Sequence, residues 1–157
     1  NDLHRVCVPG SVTVQELFSV EAYATVFHLV ADVTGTLEPT LDVMDLLDAT
    51  FPGGSITGAP KRRAMEIIDE LEHSPRGLYT GAMGYLSLSG DCDFNIIIRT
   101  LVHQNGTYTL GVGGGITCES DPLFEYDETL QKAKAPLKAL NGSFGEERSA
   151  EHGDHLR

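Results

Sequence analysis

Hydrophobic and polar residues alternate with different periods along the 157-residue chain, and each period predicts an element. Residues 11–37 alternate as in a β-strand and are rich in β-branched and aromatic types, which predicts β structure. Residues 1–8 are typical of the end of a helix, and Pro9 with Gly10 would stop it. The chain is therefore predicted to open with a helix end followed by strands.

Helical spacing replaces this alternation twice in the middle of the chain. Pro39 and Thr40 offer a helix start, and apolar residues at helical spacing continue to Ala49. Residues 51–60 contain three glycines and two prolines, which predicts a loop. Residues 61–72 place their apolar side chains on one face, which predicts a second helix.

Strand-like segments return after this helix. They cover residues 79–88, 93–103 and 107–112. Asn105 and Gly106 separate the last two segments and are a strong signal for a two-residue hairpin turn. Three glycines at 113–115 interrupt the third strand, which indicates either a close approach of another group to the backbone or a bulge.

A final helix is predicted to begin with Asp121 as its N-cap and Pro122 at its first position, and to run to about Leu140. Its apolar residues recur at spacings of three and four and predict a buried stripe, made of Leu123, Tyr126, Leu130, Ala133, Leu137 and Leu140. The polar residues 142–157 are predicted to be a disordered tail, which leaves residues 1–141 as the folded domain.

Glu125, Glu128 and Lys132 form a second stripe on this helix, roughly 130° around from the first at about 100° per residue. Two carboxylates three residues apart, with a lysine four residues further on, can hold a hard cation such as Mg²⁺ beside an anionic oxygen. The same pattern is typical of a solvated helix face, where an ion pair of this spacing contributes roughly 0.2–0.5 kcal/mol.

Composition limits the classes of function. The formal net charge is −12, and no basic stripe is present that could replace phosphate counterions, so we expect no nucleic-acid partner. Any anionic metabolite would need a cation or local basic groups at its site. The three cysteines, Cys7, Cys92 and Cys118, have no zinc spacing and indicate reduced thiols in the cytoplasm. No apolar run reaches the length of a membrane span.

Some single residues are candidates for binding or catalysis. Arg99 lies in an apolar segment, where an arginine is usually paired with an internal carboxylate or a ligand, unless its head reaches solvent. His28 and Tyr85 also lie in apolar segments, where a core position is the ordinary interpretation. The helix at 61–72 has basic residues at its start and acidic ones near its end, which favours either an anion at its N-terminus or tertiary pairing of these charges.

Several of these segments together resemble the signature of the chorismate-binding enzymes. The matching motifs lie at residues 51–61 (FPGGSITGAPK), 64–68 (AMEII), 90–95 (GDCDFN), 98–100 (IRT), 113–116 (GGGI), 120–122 (SDP) and 125–133 (EYDETLQKA). The resemblance runs from Asn1 to about Leu140. It implies an α+β fold in which a layered, mostly antiparallel sheet is flanked by helices.

The resemblance also implies an activity. Ser55, Ile56 and Thr57 favour the aminodeoxychorismate branch of the family, as does the run of three glycines at 113–115. Enzymes of that branch convert chorismate and ammonia, delivered by a glutamine amidotransferase, to 4-amino-4-deoxychorismate. The alternatives are an anthranilate synthase large subunit, which further eliminates pyruvate, and an inactive module that only binds metal or completes a fold.

Residue roles follow from the resemblance as expectations. Glu125 and Glu128 resemble the family's Mg²⁺ ligands, and the metal would hold the ring carboxylate of chorismate. Ser55 resembles a further contact to that carboxylate, and His28 resembles the histidine that assists departure of the ring hydroxyl. The residues that resemble contacts to the enolpyruvyl carboxylate are Tyr85, Arg99, Lys132 and the backbone of Gly113, Gly114 and Gly115.

The resemblance further implies that the family's other Mg²⁺-binding glutamate lies upstream of Asn1. The chain has no initiator Met, and it starts in a manner typical of a longer protein's interior. We therefore expect this chain alone to be inactive. We also expect it to expose apolar surface and to self-associate.

Overall fold

The computed structural model describes residues 1–22 and 27–140, except for the side chain of His28. These residues form two compact units. The first unit comprises Asn1–Pro75 with Thr80–Ile96, and the second comprises Arg76–Tyr79 with the described residues from Ile97 on.

The first unit contains a long hairpin of β1 (Thr13–Ala22) and β2 (Phe27–Thr34), which pair antiparallel. Val14 pairs with Val33 and Val20 with Leu29, and the register shifts on both sides of Glu16. The prediction of β structure in this part of the chain is confirmed. Many of the hairpin's apolar side chains are exposed, including Val20 and Leu29 at 67% and 65%.

A small core in the first unit joins the N-terminus to α1 (Val43–Thr50), with Val6, Cys7 and Ala49 buried. The expected helix end at residues 1–8 is only a single 3₁₀ turn, Leu3–Arg5. The expected start of α1 at Pro39 and Thr40 is also wrong. Asp42 is the N-cap, because its Oδ1 accepts hydrogen bonds from the backbone N–H groups of Met44 and Asp45 at 2.7 and 3.2 Å.

The segment predicted as a loop contains a short helix, α2 (Gly54–Thr57), and leads into α3 (Lys61–Leu71). Local hydrogen bonding explains α2, since the Thr57 hydroxyl donates to the Gly53 carbonyl at 3.0 Å. At the start of α3 the Lys61 ammonium lies 2.7 Å from Asp2 and 3.2 Å from the Thr50 carbonyl. Tertiary pairing of Lys61 is therefore observed at this unfavourable helix end.

The remaining strands form two hairpins. In the first unit β3 (Ala82–Leu86) pairs with β4 (Cys92–Ile96), and in the second β5 (Leu101–Gln104) pairs with β6 (Thr107–Leu110). The turn between β5 and β6 was predicted correctly: Asn105 and Gly106 have φ of 51° and 77°, as a two-residue hairpin turn requires. The single strand predicted at residues 93–103 is wrong, because the strand is interrupted between β4 and β5. The third strand is shorter than predicted, because β6 ends before the glycines.

The second unit ends in α4 (Pro122–Ala139), whose buried face differs from the prediction. Ala133 and Pro136 are buried, but Leu123 and Tyr126 of the predicted stripe are 78% and 59% exposed. The face that carries Glu125 is half-buried instead. The reason is that the chain preceding the helix lies over that face.

The α+β class and the antiparallel pairing of strands are confirmed. Among the described residues the strands pair as three two-stranded sheets, and the layering of a larger sheet stays a prediction. None of the helices described here is long and apolar enough to cross a membrane. The predicted polar tail lies outside the described residues.

Candidate functional site

The first turn of α4 is fixed by its N-cap. The Oδ1 atom of Asp121 accepts hydrogen bonds from the backbone N–H groups of Leu123 and Phe124 at 3.0 and 2.9 Å. Pro122 occupies the first helical position, where its missing N–H costs nothing. The sequence Asp-Pro therefore sets where the helix begins, and with it the position of Glu125 one turn later.

Glu125 has one bonded and one unbonded carboxylate oxygen. The Ser120 hydroxyl donates to Oε1 at 2.6 Å. Oε2 is buried and has no hydrogen-bond partner among the described residues. A buried acceptor without a partner costs about 1–3 kcal/mol, and more when it is charged. Such a group is rare in a native protein and calls for a ligand or a further partner.

The glycines after β6 lie against Glu125 and against Tyr79. A Cβ atom added to Gly114 would lie 3.3 Å from Oε2 of Glu125, 3.8 Å from Nζ of Lys132 and 3.9 Å from the hydroxyl of Thr129. A Cβ on Gly111 would overlap the ring of Tyr79, and one on Gly113 would lie 2.9 Å from the Tyr79 hydroxyl. Of the two interpretations of the glycines, close approach to the backbone is therefore the observed one.

Lys132 lies one turn beyond Glu128 and pairs with it. Their Nζ and Oε1 atoms are 2.7 Å apart, and the two side chains are 29% and 41% exposed. At this exposure the pair contributes little to stability, by the usual measure of surface ion pairs. Its position matters more, because the ammonium is close to both Glu128 and Gly114.

A pocket of about 290 Å³ opens beside Glu125. It is lined by Ile116, Ser120, Pro122, Glu125, Tyr126 and Thr129. Its volume is at the lower limit of small-molecule sites in proteins, which bind ligands of roughly 300 Å³ and more. Glu125 thus has its Oε2 atom near Gly114 and also contributes to the lining of a cavity.

The donor set suits a hard cation without completing its coordination. Carboxylate oxygens are the ligands that Mg²⁺ takes from proteins, and the orphaned Oε2 of Glu125 is such an oxygen. Among the residues described, no group of three or more His, Cys, Asp or Glu side chains lies close enough to hold a metal. The Oε2 atom of Glu125 therefore fits as one ligand of such a cation, and Glu128 stays a predicted ligand.

Comparison with known families bears on this arrangement. The model of the chorismate binding enzyme family matches residues 1–138. The chain belongs to the chorismate-binding enzymes. All the candidate site residues lie inside the matched range, so the resemblance seen in the motifs is confirmed.

Individual members of the family are similar over most of this chain. A probable chloroplastic aminodeoxychorismate synthase of Oryza sativa subsp. japonica is 52% identical over 89% of this chain and 16% of its own length. An anthranilate synthase component I-like protein of Synechocystis is 52% identical over 90% and 29%. The crystal structure of anthranilate synthase component I from Streptococcus pneumoniae has a TM-score of 0.81 and 46% identity over 87% and 31%. The chain spans less than a third of each of these proteins.

The structure brings together four of the predicted site residues of this family member. They lie within the second unit and are Gly114, Glu125, Glu128 and Lys132. Gly114 is close to Glu125 and Lys132, and Lys132 pairs with Glu128. Gly113 packs against Tyr79, and no neighbour lies within 4 Å of a Cβ on Gly115. Their roles toward a ligand remain predictions.

The other predicted site residues lie elsewhere in the chain. Ser55 is exposed on α2, and Tyr85 is 59% exposed on β3. His28 lies on β2 and pairs with Glu21 of β1, and its side chain is outside the described residues. All three belong to the first unit, so their roles stay predictions. Arg99 was expected in a strand, which is wrong. It lies in the connection between β4 and β5, where it is exposed and has a φ of 52°.

Three residues at the site were not singled out from the sequence. Ser120 holds Glu125, Thr129 lies near Gly114, and Tyr79 packs against two glycines. Thr129 falls four residues after Glu125, so helical spacing alone could have placed it on the same face. Tyr79 is distant in sequence, and only the tertiary fold reveals its position.

Proposed function

We propose that this chain is part of an aminodeoxychorismate synthase and that its second unit helps to bind chorismate. The observation that supports this most is the orphaned Oε2 of Glu125, which lies under Gly114 and near Lys132. A carboxylate oxygen without a partner is suited to bind a cation, and the ammonium of Lys132 is suited to bind an anion. Chorismate is a dianion, so it needs two such centres of positive charge.

Glu125 and Glu128 are the residues of this chain that would hold Mg²⁺. The bound metal would supply a positive charge that neutralises the ring carboxylate of chorismate. Glu125 contributes its free Oε2, and Glu128 would exchange part of its pairing with Lys132 for the metal. Ser55 is proposed as a further hydroxyl contact to the same carboxylate.

Lys132 is proposed to bind the second carboxylate, that of the enolpyruvyl group. Arg99, Tyr85 and the backbone of the three glycines are proposed as its other contacts. In a protein of net charge −12 such local basic groups are needed to offset the repulsion of an anion. Gly114 leaves room for a substrate oxygen, because it has no Cβ between the backbone and Lys132.

His28 is proposed to hold the proton that assists departure of the ring hydroxyl, as general acid. The incoming nucleophile would be ammonia, supplied by a glutamine amidotransferase subunit or domain. These roles rest on the family's motifs and on the residues at the matching positions of this sequence.

The aminodeoxychorismate branch is preferred because of Ser55, Ile56 and Thr57 and the run of three glycines. The alternative is an anthranilate synthase large subunit, since relatives of both names are 52% identical to this chain. The product distinguishes them. The full-length polypeptide that carries this sequence, given chorismate, ammonia and Mg²⁺, should accumulate aminodeoxychorismate, whereas release of anthranilate and pyruvate would support the alternative.

Calorimetric titration of this chain with chorismate tests the binding role. We expect heat of binding in the presence of Mg²⁺ and none in the presence of EDTA. Lys132→Met should lower the affinity for chorismate about tenfold or more, because charge-assisted contacts to a carboxylate contribute about 1.5–3 kcal/mol. Lys134→Met is the matched control, since Lys134 is exposed on the same helix. Absence of Mg²⁺-dependent heat with the wild-type chain would favour a module that only completes a fold.

A further inference from the structure

The Ser120 hydroxyl lies 2.6 Å from Oε1 of Glu125, within the range of 2.5–2.7 Å typical of a hydroxyl that donates to a charged carboxylate. Ser120 precedes the N-cap and takes no part in capping the helix, which Asp121 does alone. Its hydroxyl is therefore committed to Glu125 and not to the end of α4.

A second contact fixes the direction of the Ser120 hydroxyl. The backbone N–H of Thr117 donates to the Ser120 oxygen at 3.0 Å, and the Thr117 hydroxyl lies 3.5 Å from it. A serine hydroxyl has one proton to donate. With its oxygen already accepting from Thr117, that proton goes to Glu125.

The consequence for Glu125 is that its two oxygens are no longer equivalent. Oε1 is held by Ser120, so rotation of the carboxylate would break a charge-assisted hydrogen bond. Oε2 is left buried and without a partner, facing the backbone of Gly114. A preformed ligand loses less conformational freedom when a cation binds, which increases affinity.

We propose that Ser120 is a positioning residue, which holds the Glu125 carboxylate so that Oε2 is presented to a divalent cation. The inference rests on the proposed function, in which Glu125 binds Mg²⁺. Hydrogen bonds to metal-binding carboxylates are known to affect metal affinity by about 10–100-fold when removed. Ser120 touches neither the cation nor the substrate in this proposal and acts only through Glu125.

The test is the affinity of the chain for Mn²⁺, a spectroscopic substitute for Mg²⁺, measured by electron paramagnetic resonance. We expect Ser120→Ala to weaken Mn²⁺ binding about 10–100-fold. Ser120→Thr keeps the hydroxyl and should restore binding to near the wild-type value. Circular dichroism melting of each variant, recorded without metal, shows whether the fold is retained.

Two control variants separate positioning from stability. Ser89→Ala removes another serine hydroxyl that donates to a carboxylate, that of Asp91 at 2.7 Å, on the exposed turn between β3 and β4. It should leave Mn²⁺ affinity unchanged. Asp121→Ala removes the N-cap of α4 without removing the bond from Ser120, and should lower the melting temperature more than Ser120→Ala does.

The outcomes distinguish the two proposals. If the wild-type chain and Ser120→Thr bind Mn²⁺ and Ser120→Ala binds weakly, Ser120 positions Glu125. If Ser120→Ala binds as tightly as the wild type, the positioning role is wrong and the proposed metal site stands. If the wild-type chain binds no Mn²⁺, the proposed function itself fails. Weak binding by Asp121→Ala equal to that by Ser120→Ala would assign the effect to helix stability and overturn the positioning role.

Discussion

Packing alone does not explain the surroundings of Glu125. One of its oxygens has a short bond to Ser120, and the other is buried without a partner among the described residues. Selection for stability alone would favour glutamine or an apolar residue here, since a buried carboxylate oxygen without a partner is unfavourable. The arrangement is suited to a ligand at the expense of stability, a conflict that is common at functional sites.

This conflict predicts an unusual effect of Glu125→Gln. In the absence of metal we expect the free energy of unfolding in urea to stay the same or to rise by about 1 kcal/mol, because the substitution removes the charge from a carboxylate whose Oε2 atom is buried without a partner. In Mn²⁺ the wild-type chain should gain stability and the variant should not, since only the state that binds ligand is stabilised. A large loss of stability without metal would show that the carboxylate is a structural partner of Ser120.

Part of this arrangement of site residues could be predicted from the sequence. Helical spacing placed Glu125, Glu128 and Lys132 on one stripe, and the structure pairs the last two. The spacing also suggested that this stripe was the open one, which is wrong. A helical pattern shows which residues share a face but not which neighbour covers it. Here the neighbour is a run of glycines, which has no hydrophobic signal of its own.

At the scale of elements, the glycines at 113–115 and α4 act as a pair. Gly114 lies close to Glu125 and Lys132, whereas the backbone of Gly115 has open space around its missing side chain. Neither of these two glycines has a positive φ, so alanine fits the backbone at both. The two positions therefore differ in their surroundings more than in their conformation.

Gly114→Ala and Gly115→Ala make a matched pair of substitutions. We expect Gly114→Ala to weaken Mn²⁺ and chorismate binding about tenfold or more, because its methyl group would lie 3.3 Å from Oε2 of Glu125 and occupy the space of a ligand. Gly115→Ala keeps the backbone groups proposed to contact the ligand and has open space for its methyl group, so it should bind as the wild type does in a calorimetric titration. Equal binding by both variants would contradict a ligand site between the glycines and the helix.

Elements with strong local signals were predicted well, and those set by tertiary contacts were not. Asn105 and Gly106 fixed the β5–β6 turn through backbone conformation, and Asp121 with Pro122 fixed the start of α4. The segment around Arg99 was predicted as a strand because three isoleucines precede it. A positive φ at Arg99 interrupts the strand there, and no local signal marks it.

At the scale of the whole molecule, the chain exposes much apolar side-chain surface. On the β1–β2 hairpin Val20 and Leu29 are cross-strand partners, and both are about two-thirds exposed, at 67% and 65%. Large exposed apolar surface favours association. We expect the chain to form dimers or larger species with a second copy at micromolar concentration.

Sedimentation velocity over a range of concentrations measures this association. The double variant Val20→Thr with Leu29→Thr places β-branched residues suited to a strand at both positions and should shift the distribution toward the monomer. Leu88→Thr is the control, because Leu88 is a fully exposed leucine outside the hairpin. A monomeric wild-type chain, or an equal shift in the control, would contradict association through this face.

The central claim is that the Glu125 carboxylate binds a divalent cation next to chorismate. Its most direct test is the Mn²⁺ affinity of the chain with and without chorismate, by electron paramagnetic resonance. If metal and substrate bind next to each other, each must change the affinity for the other by the same factor, and opposite charges make both bind more tightly. We expect chorismate to tighten Mn²⁺ binding about tenfold or more in the wild type and not at all in Glu125→Gln. Mn²⁺ affinity that is independent of chorismate, or unchanged in Glu125→Gln, would contradict this account.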